Sequence, residues 1–229
     1  MSHYTVGVIV PKEVKEGNLR YYVDELLEPF DENMEVQPYI AVTIEELKER
    51  YEEYKSRCEK VEPFEEFIID YCGAGNDEEG NALSTYNPDS KWDSYSIGGR
   101  WNNSIKTKDN REVNYARIKD IQFKEVLSDE EISNLKEVYT KKIKEGDFYK
   151  AEYYQERYPS FEDYLEENQH FSTYAILTPD GEWLEPGQMG WFGMSSATPE
   201  ESKSFQSKYM EKINSQNEND WFVIVDCHI

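Results

Sequence analysis

The stretch that decides the fold is HYTVGVIV, residues 3–10. Large apolar side chains occupy every second position from Tyr4 onward, and Pro11 follows directly after the last of them. Because successive side chains of an extended chain point to opposite faces, this alternation predicts a β-strand. Two later stretches, HFSTYAIL (residues 170–177) and WFVIVDCH (residues 221–228), have the same character and predict two further strands.

Helix-start signals lie between these predicted strands. A Ser or Thr followed three residues later by an acidic residue forms a capping box, in which side chains satisfy the free backbone N–H groups of the first turn. Such pairs begin at Thr43, Ser128, Ser160 and Thr198. They predict a helix over each segment that follows, and Pro199 strengthens the last prediction because proline is favoured at the first helical position.

The order of these elements predicts an α+β fold: a small mixed or antiparallel, ferredoxin-like sheet with helices on one side. We expect a single domain over residues 1–229, with a helical and loop insertion over roughly 60–168. In a ferredoxin-like sheet the first strand lies between the third, running parallel, and the last, running antiparallel. The beginnings of the strands at 3–10 and 171–177 and the end of the strand at 221–228 are then expected at one edge.

The chain carries a formal net charge of −23 over 229 residues. Such a field repels nucleic-acid backbones and anionic membranes, so we expect no direct DNA or RNA binding and no membrane binding. Most acids fall on predicted helices, where they form solvated faces. A surface that mimics DNA, or one that binds a basic partner, is the alternative interpretation of the same charge.

The cysteines and the N-terminus limit the class of protein further. Cys58, Cys72 and Cys227 include no Cys-x-x-Cys pair, so neither a disulfide framework nor a zinc ribbon is indicated. No basic segment followed by a long apolar run is present at the N-terminus, which predicts a cytoplasmic protein. The composition leaves the formation of homo-oligomers open.

The three histidines of the chain all lie at ends of predicted strands. His3 and His170 each have a hydroxyl residue two positions later, Thr5 and Ser172, which a strand places on the same face. His228 ends the last predicted strand. If the three strands are neighbours, the three imidazoles meet at one edge of the sheet.

The paired His-x-Thr and His-x-Ser motifs resemble the two-histidine phosphoesterase superfamily. That resemblance implies a metal-independent phosphoesterase in which His3 and His170 are the acid–base pair while Thr5 and Ser172 hold phosphate oxygens. Imidazole suits both proton transfers because its ordinary pKa is about 6.5. The alternative interpretation is that both histidines simply begin half-exposed strands.

The C-terminal residues allow other roles for a carboxylate. Asp226 shares a strand face with His228, and together with His3 and His170 it would form a three-histidine, one-carboxylate set of the kind that binds zinc or iron. No His-x-x-x-His or His-Glu-x-x-His pattern supports this, so we expect no metal and no cofactor. Asp226 would otherwise orient a histidine by accepting its N–H. Cys227 points to the opposite face and is expected to be a buried apolar residue.

Two loops rich in glycine and aromatic residues are candidate ligand-binding segments: NPDSKWDSYSIGGRW (residues 87–101) and GQMGWFGM (residues 187–194). The candidate binding residues in the first loop are Trp92, Asp93, Tyr95, Arg100 and Trp101. Aromatic rings stack on bases, a guanidinium binds phosphate, and glycine permits close backbone approach. The alternative is a packed aromatic lid in which Arg100 pairs with Asp93.

Three motifs, S-K-W-D-x-Y-x-x-G-G-R-W, G-x-M-G-W-x-G and the terminal V-D-C-H-I, resemble a family of uncharacterised bacteriophage proteins. The resemblance implies action in the cytoplasm of an infected bacterium. Phage proteins of this size often counter host defence, in some cases by cleaving or sequestering cyclic nucleotide signals.

The sequence therefore predicts a phage-encoded anti-defence phosphodiesterase that acts on a small nucleotide, with a cyclic dinucleotide as one candidate, and without a metal. His3, His170 and His228 are its candidate catalytic residues, with Asp226 assisting. Two alternatives stay open: a nucleotide-binding sponge that does not cleave its ligand, and an acidic inhibitor of a basic host protein.

Overall fold

The computed structural model describes residues 2–71, 73–190 and 193–229, which form a mixed α+β structure. The chain divides into two compact units, one comprising the residues up to Pro29 and from Lys91 onward, and the other comprising Phe30–Ser90. The boundaries thus lie near residues 30 and 90, whereas the sequence predicts one domain with an insertion over 60–168. Each unit is described by itself.

The strands of the described residues are numbered along the chain. They are β1 (His3–Val10), β2 (Tyr39–Val42), β3 (Ala82–Ser84), β4 (Ser94–Ile97), β5 (Ile105–Lys106), β6 (Glu112–Val113), β7 (Tyr115–Arg117), β8 (Ala175–Leu177), β9 (Trp183–Leu184) and β10 (Trp221–His228). The α-helices are α1 (Leu19–Leu27), α2 (Ile44–Arg57), α3 (Phe64–Phe67), α4 (Asp129–Glu145), α5 (Ala151–Arg157), α6 (Phe161–Asn168) and α7 (Pro199–Ser215). None of these helices is long and apolar enough to cross a membrane.

A six-stranded mixed sheet forms the centre of the larger unit, in the order β4-β10-β1-β8-β9, with β7 also paired to β10. β1 lies between β10, which runs antiparallel to it, and β8, which runs parallel. The predicted neighbours of the first strand are therefore confirmed. The beginnings of β1 and β8 and the end of β10 lie at the same end of the sheet.

β8 is shorter than the predicted strand. Its ladder with β1 extends only from Val6 opposite Ala175 to Val8 opposite Leu177. Before Ala175 the chain leaves the ladder, because the backbone N–H and the hydroxyl of Thr173 both bind the Tyr209 hydroxyl on α7, each at 3.1 Å. Residues 171–174 are consequently not part of the sheet.

One face of this sheet, here called the α7 face, carries the odd-numbered positions of β1 and the even-numbered positions of β10. Its core contains Ile9, Phe222 and Ile224 packed with Phe205 and Tyr209 of α7. Gly7 lies in this core because the Phe222 ring covers it, and a Cβ at this position would come within 2.2 Å of the ring. A side chain at position 7 would therefore displace Phe222.

The opposite face is covered by α1. Trp92, which is buried, donates its indole N–H to the carbonyl oxygen of Leu27 at 3.1 Å, and the Tyr95 hydroxyl on β4 binds Asp24. Tyr95 lies opposite Cys227, so it belongs to this second face. The sequence-based expectation that the helices lie on one side of the sheet is wrong, because α1 and α7 cover opposite faces.

The helices α4, α5 and α6 form a layer with a core of tyrosines. Tyr154, Tyr158 and Tyr164 are its buried members, and α5 also packs against α7. The predicted capping boxes at Ser128, Ser160 and Thr198 are all present, each with the side chain accepting the backbone N–H three residues later.

The smaller unit contains β2, β3, α2 and α3. β2 pairs antiparallel with β3. The helix α2 begins with the predicted capping box, since the Thr43 side chain accepts the N–H of Glu46 and the Glu46 carboxylate accepts the N–H of Thr43.

Candidate active site

Two histidines face each other at the end of the central sheet. His3, the first residue of β1, is the register partner of His228, the last residue of β10. Residues directly opposite in an antiparallel pair have their side chains on the same face and close together. The two imidazole rings accordingly meet edge to face, with centroids 4.8 Å apart and an interplanar angle of 69°.

The His3 ring is held by a buried carboxylate. Asp226 precedes His228 by two residues, so it lies on the same face of β10, and its Oδ1 is 2.8 Å from His3 Nδ1. Its other oxygen accepts the backbone N–H of Arg100 at 2.9 Å. Only 5 % of the Asp226 surface is exposed, so these hydrogen bonds replace the water that this carboxylate would otherwise bind.

The diglycine of the GGRW motif makes this contact possible. Gly99 has a φ of +51°, and a Cβ at this position would lie 2.3 Å from Asp226 Oδ2 and 2.6 Å from Ser96 Oγ. Only glycine allows the backbone to come this close in this conformation. The glycine therefore brings the chain against the Asp226 carboxylate, whereas the sequence suggests an approach to a ligand.

The His228 ring has a carboxylate of its own. Asp93 directly precedes β4, and its Oδ1 is 2.5 Å from His228 Nδ1. The backbone N–H of Asp93 also donates to the carbonyl oxygen of His228 at 3.0 Å, which fixes the position of this residue. Partial burial raises the pKa of Asp93, but the hydrogen bonds from His228 and Ser94 outweigh it, so the pKa lies below its ordinary value. The carboxylate is thus ionised at neutral pH.

Four side chains therefore form two adjacent His–Asp pairs, here called the double-dyad site: His3 with Asp226, and His228 with Asp93. A carboxylate at Nδ1 holds the neutral ring with its proton on that nitrogen and leaves Nε2 unprotonated. Within the described part of the chain, neither Nε2 atom has a hydrogen-bond partner. Each ring can thus accept a proton at Nε2 or deliver one from it.

Hydroxyl groups lie on the same face. The register places Thr5 and Ser96 on either side of Asp226, and Ser94 beside His228. Thr5 Oγ1 accepts the backbone N–H of Tyr174 at 3.0 Å, while Ser94 and Ser96 are exposed. The predicted placement of Thr5 beside His3 agrees with this register.

Arg100 is a candidate source of positive charge for the double-dyad site. Its backbone N–H binds Asp226, which anchors the residue at the double-dyad site. Its side chain is exposed and forms no ion pair with any described residue. The predicted alternative, a pair between Arg100 and Asp93, is therefore not seen, and the guanidinium is available to an anionic ligand.

The structure does not bring His170 to the other two histidines. His170 forms an isolated bridge with Lys124, and its Nδ1 is 2.7 Å from the backbone carbonyl oxygen of Glu166. It lines a pocket that includes neither His3 nor His228. The physical reason is the early departure of the chain from the β1–β8 ladder, since His170 lies five residues before Ala175. Ser172 lines a different cavity, beside Thr173.

The aromatic residues of the first loop pack within the protein. Trp92 and Tyr95 contact each other edge to face with centroids 5.1 Å apart, and both bind α1. Trp101 packs against the core of the α7 face. These contacts favour the alternative interpretation, a packed aromatic lid, over the expectation that the rings stack on a ligand. Trp191 and Phe192 of the second loop lie outside the described residues.

Cys227 is buried, as expected, and lies on the face opposite to the histidines. Burial, with a smaller contribution from the nearby Asp226 charge, raises the pKa of the thiol well above its ordinary value. A nucleophilic role is not supported because the thiolate is the reactive form. In residues 2–71, 73–190 and 193–229, no three potential metal ligands are grouped as a metal site requires.

The sequence predicts that His3, His170 and His228 meet, and the structure brings together His3 and His228 of these three. Sequence reasoning missed that His3 and His228 are direct register partners, and it missed the role of Asp93. The signal for the first is the equal length of the two terminal strands: β1 and β10 each have eight residues. When such strands pair antiparallel over their full length, the first residue of one meets the last residue of the other. The position of Asp93 depends on tertiary contacts and has no local signal.

Comparisons with known proteins give no relative: no family model, no curated protein and no solved structure matches this chain.

Proposed function

We propose that this protein is a phosphodiesterase that cleaves a small nucleotide, using His3 and His228 as its acid–base pair. The observation that carries the proposal is the contact between the two imidazoles, each with Nδ1 on its own carboxylate. One ring acts as the base and the other as the acid, and general acid–base catalysis of this kind contributes roughly 10²–10⁴-fold to a rate.

The reaction needs only these groups and water. The Nε2 of one neutral imidazole accepts a proton from the attacking water while the water oxygen bonds to phosphorus. The opposite imidazolium gives its Nε2 proton to the ester oxygen as the P–O bond breaks. The two rings then hold each other's original protonation state, and exchange with solvent restores the starting state.

The surroundings supply the binding groups for a phosphodiester. The Arg100 guanidinium neutralises the charge of the phosphate, and the exposed Ser96 hydroxyl donates to a non-bridging oxygen. Such a local cation matters because the net charge of −23 repels anions at a distance. The resemblance to bacteriophage proteins supports a signalling nucleotide, such as a cyclic dinucleotide, as the substrate, in the cytoplasm of an infected cell.

The test is the fate of the ligand. The purified protein is incubated with 3′,5′-cyclic mononucleotides and with cyclic dinucleotides in the presence of EDTA, then heated, and the released nucleotides are separated by chromatography. We expect at least one cyclic nucleotide to be recovered in linear form, and His228→Ala to leave it cyclic. Linearisation at the wild-type rate by His228→Ala would contradict the assignment.

A sponge that binds a nucleotide without cleaving it is the second candidate. It is favoured by a separate cavity of about 300 Å³ that is lined by none of the four double-dyad residues, so that a ligand can bind there without contact with the histidines. Recovery of every bound nucleotide intact in the same experiment would select this candidate.

We also propose that β10, β1 and β8 are the core of an elaborated ferredoxin-like sheet.

A further inference from the structure

Two strands share one edge of β10, and the chain leaves the sheet between them. β4 pairs with the second half of β10 and β7 with the first half, on the edge that does not face β1. Between the two paired stretches, the carbonyl oxygen of Ile224 accepts the N–H of Gly98, and the Ile224 N–H donates to the carbonyl oxygen of Asn114, each at 2.9 Å. Gly98 and Asn114 therefore lie side by side at this junction.

The segment that leaves the sheet here is residues 98–103, here called the GGRW loop. Its middle is a short 3₁₀ helix, Gly99–Trp101. In that helix the backbone N–H of Arg100 donates to Asp226 Oδ2 at 2.9 Å, while Asp226 Oδ1 binds His3. The position of this loop thus decides whether the buried Asp226 carboxylate has a second hydrogen-bond donor besides His3.

The side-chain amide of Asn114 contacts both ends of the GGRW loop. At the start of the loop it lies against the Cα of Gly98, where an added Cβ would come within 2.7 Å of Asn114 Cγ, Nδ2 and Oδ1. At the end of the loop, Asn114 Oδ1 accepts the backbone N–H of Asn103 at 2.5 Å, and its Nδ2 donates to Asn102 Oδ1 at 2.9 Å. One side chain therefore holds the two ends together.

The conformation at the end of the loop needs such a partner. Asn103 has a φ of +59°, in the left-handed region that L-residues other than glycine rarely adopt, although asparagine tolerates it better than most. The hydrogen bond from its N–H to Asn114 favours this conformation over the extended and right-handed alternatives. Loss of the Asn114 amide would allow the chain to relax toward those alternatives and would move the loop.

From these contacts we infer that Asn114 is a positioning residue for the double-dyad site. Asn114 fixes the GGRW loop, and the loop presents the Arg100 N–H to Asp226. Asp226 in turn holds the His3 ring, and a buried carboxylate that loses one donor must replace it with water or bind the remaining donor more closely. The effect of Asn114 on turnover rests on the proposed function, whereas its effect on the contact between Arg100 and Asp226 does not.

The first experiment follows this contact without turnover. Asn114→Ala removes both side-chain hydrogen bonds to the GGRW loop. We expect the Arg100 amide to exchange its hydrogen about tenfold faster or more, which corresponds to the loss of one hydrogen bond to a charged group. We also expect ¹⁵N spectra to show changed ring signals at His3 and little change at His228. A residue that only stabilised the fold would leave the ring signals of the folded protein unchanged.

Asn168→Ala is the matched control, because it removes an asparagine amide that donates to the backbone carbonyl oxygen of Tyr164 in α6. It should change neither the Arg100 exchange nor the His3 signals. Thermal melting shows whether each variant is folded. Unchanged Arg100 exchange and unchanged His3 signals in folded Asn114→Ala would overturn the inference.

A milder variant keeps the test available if Asn114→Ala does not fold. Asn102→Ala removes an exposed side chain and only one of the two hydrogen bonds of the Asn114 amide. We expect it to accelerate exchange of the Arg100 amide about threefold, a smaller effect than the loss of both bonds. Exchange at the wild-type rate in Asn102→Ala would then overturn the inference.

A double-mutant cycle shows whether Asn114 acts through Asp226. In the wild-type background we expect Asn114→Ala to lower kcat for the cleaved nucleotide about tenfold. In the Asp226→Ala background, where the carboxylate is already absent, the same substitution should lower kcat by less than about twofold. An equal loss in both backgrounds would show that Asn114 acts by another route and would overturn the inference.

Failure of the inference and failure of the proposed function give different results. If the wild-type protein cleaves no nucleotide but Asn114→Ala changes the Arg100 exchange and the His3 signals, the positioning role stands and the proposed function is wrong. If the wild-type protein cleaves a nucleotide and folded Asn114→Ala has the same kcat, exchange and ring signals, the proposed function stands and the inference is wrong.

Discussion

His3 and His228 are direct partners across the antiparallel ladder of β1 and β10, with ring centroids 4.8 Å apart, although they lie near opposite ends of the chain. The pairing depends on the full register of two eight-residue strands. A slip of one residue would turn one of the two rings to the opposite face of the sheet. The double-dyad site is therefore a product of the register.

The first prediction concerns the protons of the two rings. In Asp226→Asn the side chain is uncharged, so it no longer favours a proton on His3 Nδ1, while the Asp93 carboxylate still holds His228. We expect ¹⁵N spectra of the imidazoles to show a changed tautomer or protonation state at His3 and little change at His228. Asp93→Asn is the matched control and should give the reverse pattern. If each variant alters both rings equally, the two pairs do not act as separate units.

Gly99 provides a prediction on stability. An alanine Cβ at this position would approach Asp226 Oδ2 to 2.3 Å in a backbone of positive φ. Gly181→Ala is the matched control, because Gly181 also has a positive φ, of +83°, but no atom lies within 4 Å of the added Cβ. We expect Gly99→Ala to lower the free energy of unfolding by about 1–3 kcal/mol more than Gly181→Ala does. Equal losses in urea titrations of the two variants would show that the close approach to Asp226 is not needed.

The thiols give a prediction on reactivity. Because burial raises the pKa of Cys227 and shields its sulfur, we expect this residue not to react with a disulfide reagent at pH 8 in the folded protein. The folded wild-type protein and folded Cys227→Ser should then release the same number of reagent thiolates per protein molecule. After unfolding in urea, the wild-type protein should release one more than the variant. A lower native count for Cys227→Ser would show that the thiol is accessible.

Asp93 gives a prediction on pH dependence. Its pKa in the folded protein lies below the ordinary value of 3.8, because His228 and Ser94 hydrogen-bond the ionised form. The stabilisation is therefore complete above the unfolded pKa and is lost as the pH falls through the folded pKa. We expect the difference in unfolding free energy between the wild type and Asp93→Asn to shrink as the pH falls below about 4, because the Asp93 carboxylate becomes protonated there. A difference that grows on acidification below pH 4 would contradict the hydrogen bonding seen at Asp93.

The sequence predicted those parts of the fold that depend on local chemistry. The alternation in residues 3–10 and the capping boxes at Thr43, Ser128 and Thr198 lead directly to the observed strand and helices. These signals are local because a strand face and a helix start are set by neighbouring residues. The neighbours of β1 were also predicted correctly, from the order of the elements.

The candidate site was predicted only in part, for two physical reasons. The sequence predicts His170 as the catalytic partner of His3, but the hydrogen bonds of Thr173 to Tyr209 end the β1–β8 ladder before His170 is reached. The partner of His228, Asp93, is placed by the pairing of β4 with β10. β4 is a short, polar strand between a tryptophan and a diglycine, and its pairing is set by contacts between distant segments.

The most direct test of the central claim compares two single histidine variants. The account predicts that His228→Ala lowers kcat for the cleaved nucleotide by roughly 10²–10⁴-fold, whereas His170→Ala, a substitution at a ring bound to Glu166 and remote from the double-dyad site, retains the wild-type kcat. Loss of turnover in His170→Ala with wild-type turnover in His228→Ala would contradict the claim that the His3–His228 pair performs the chemistry.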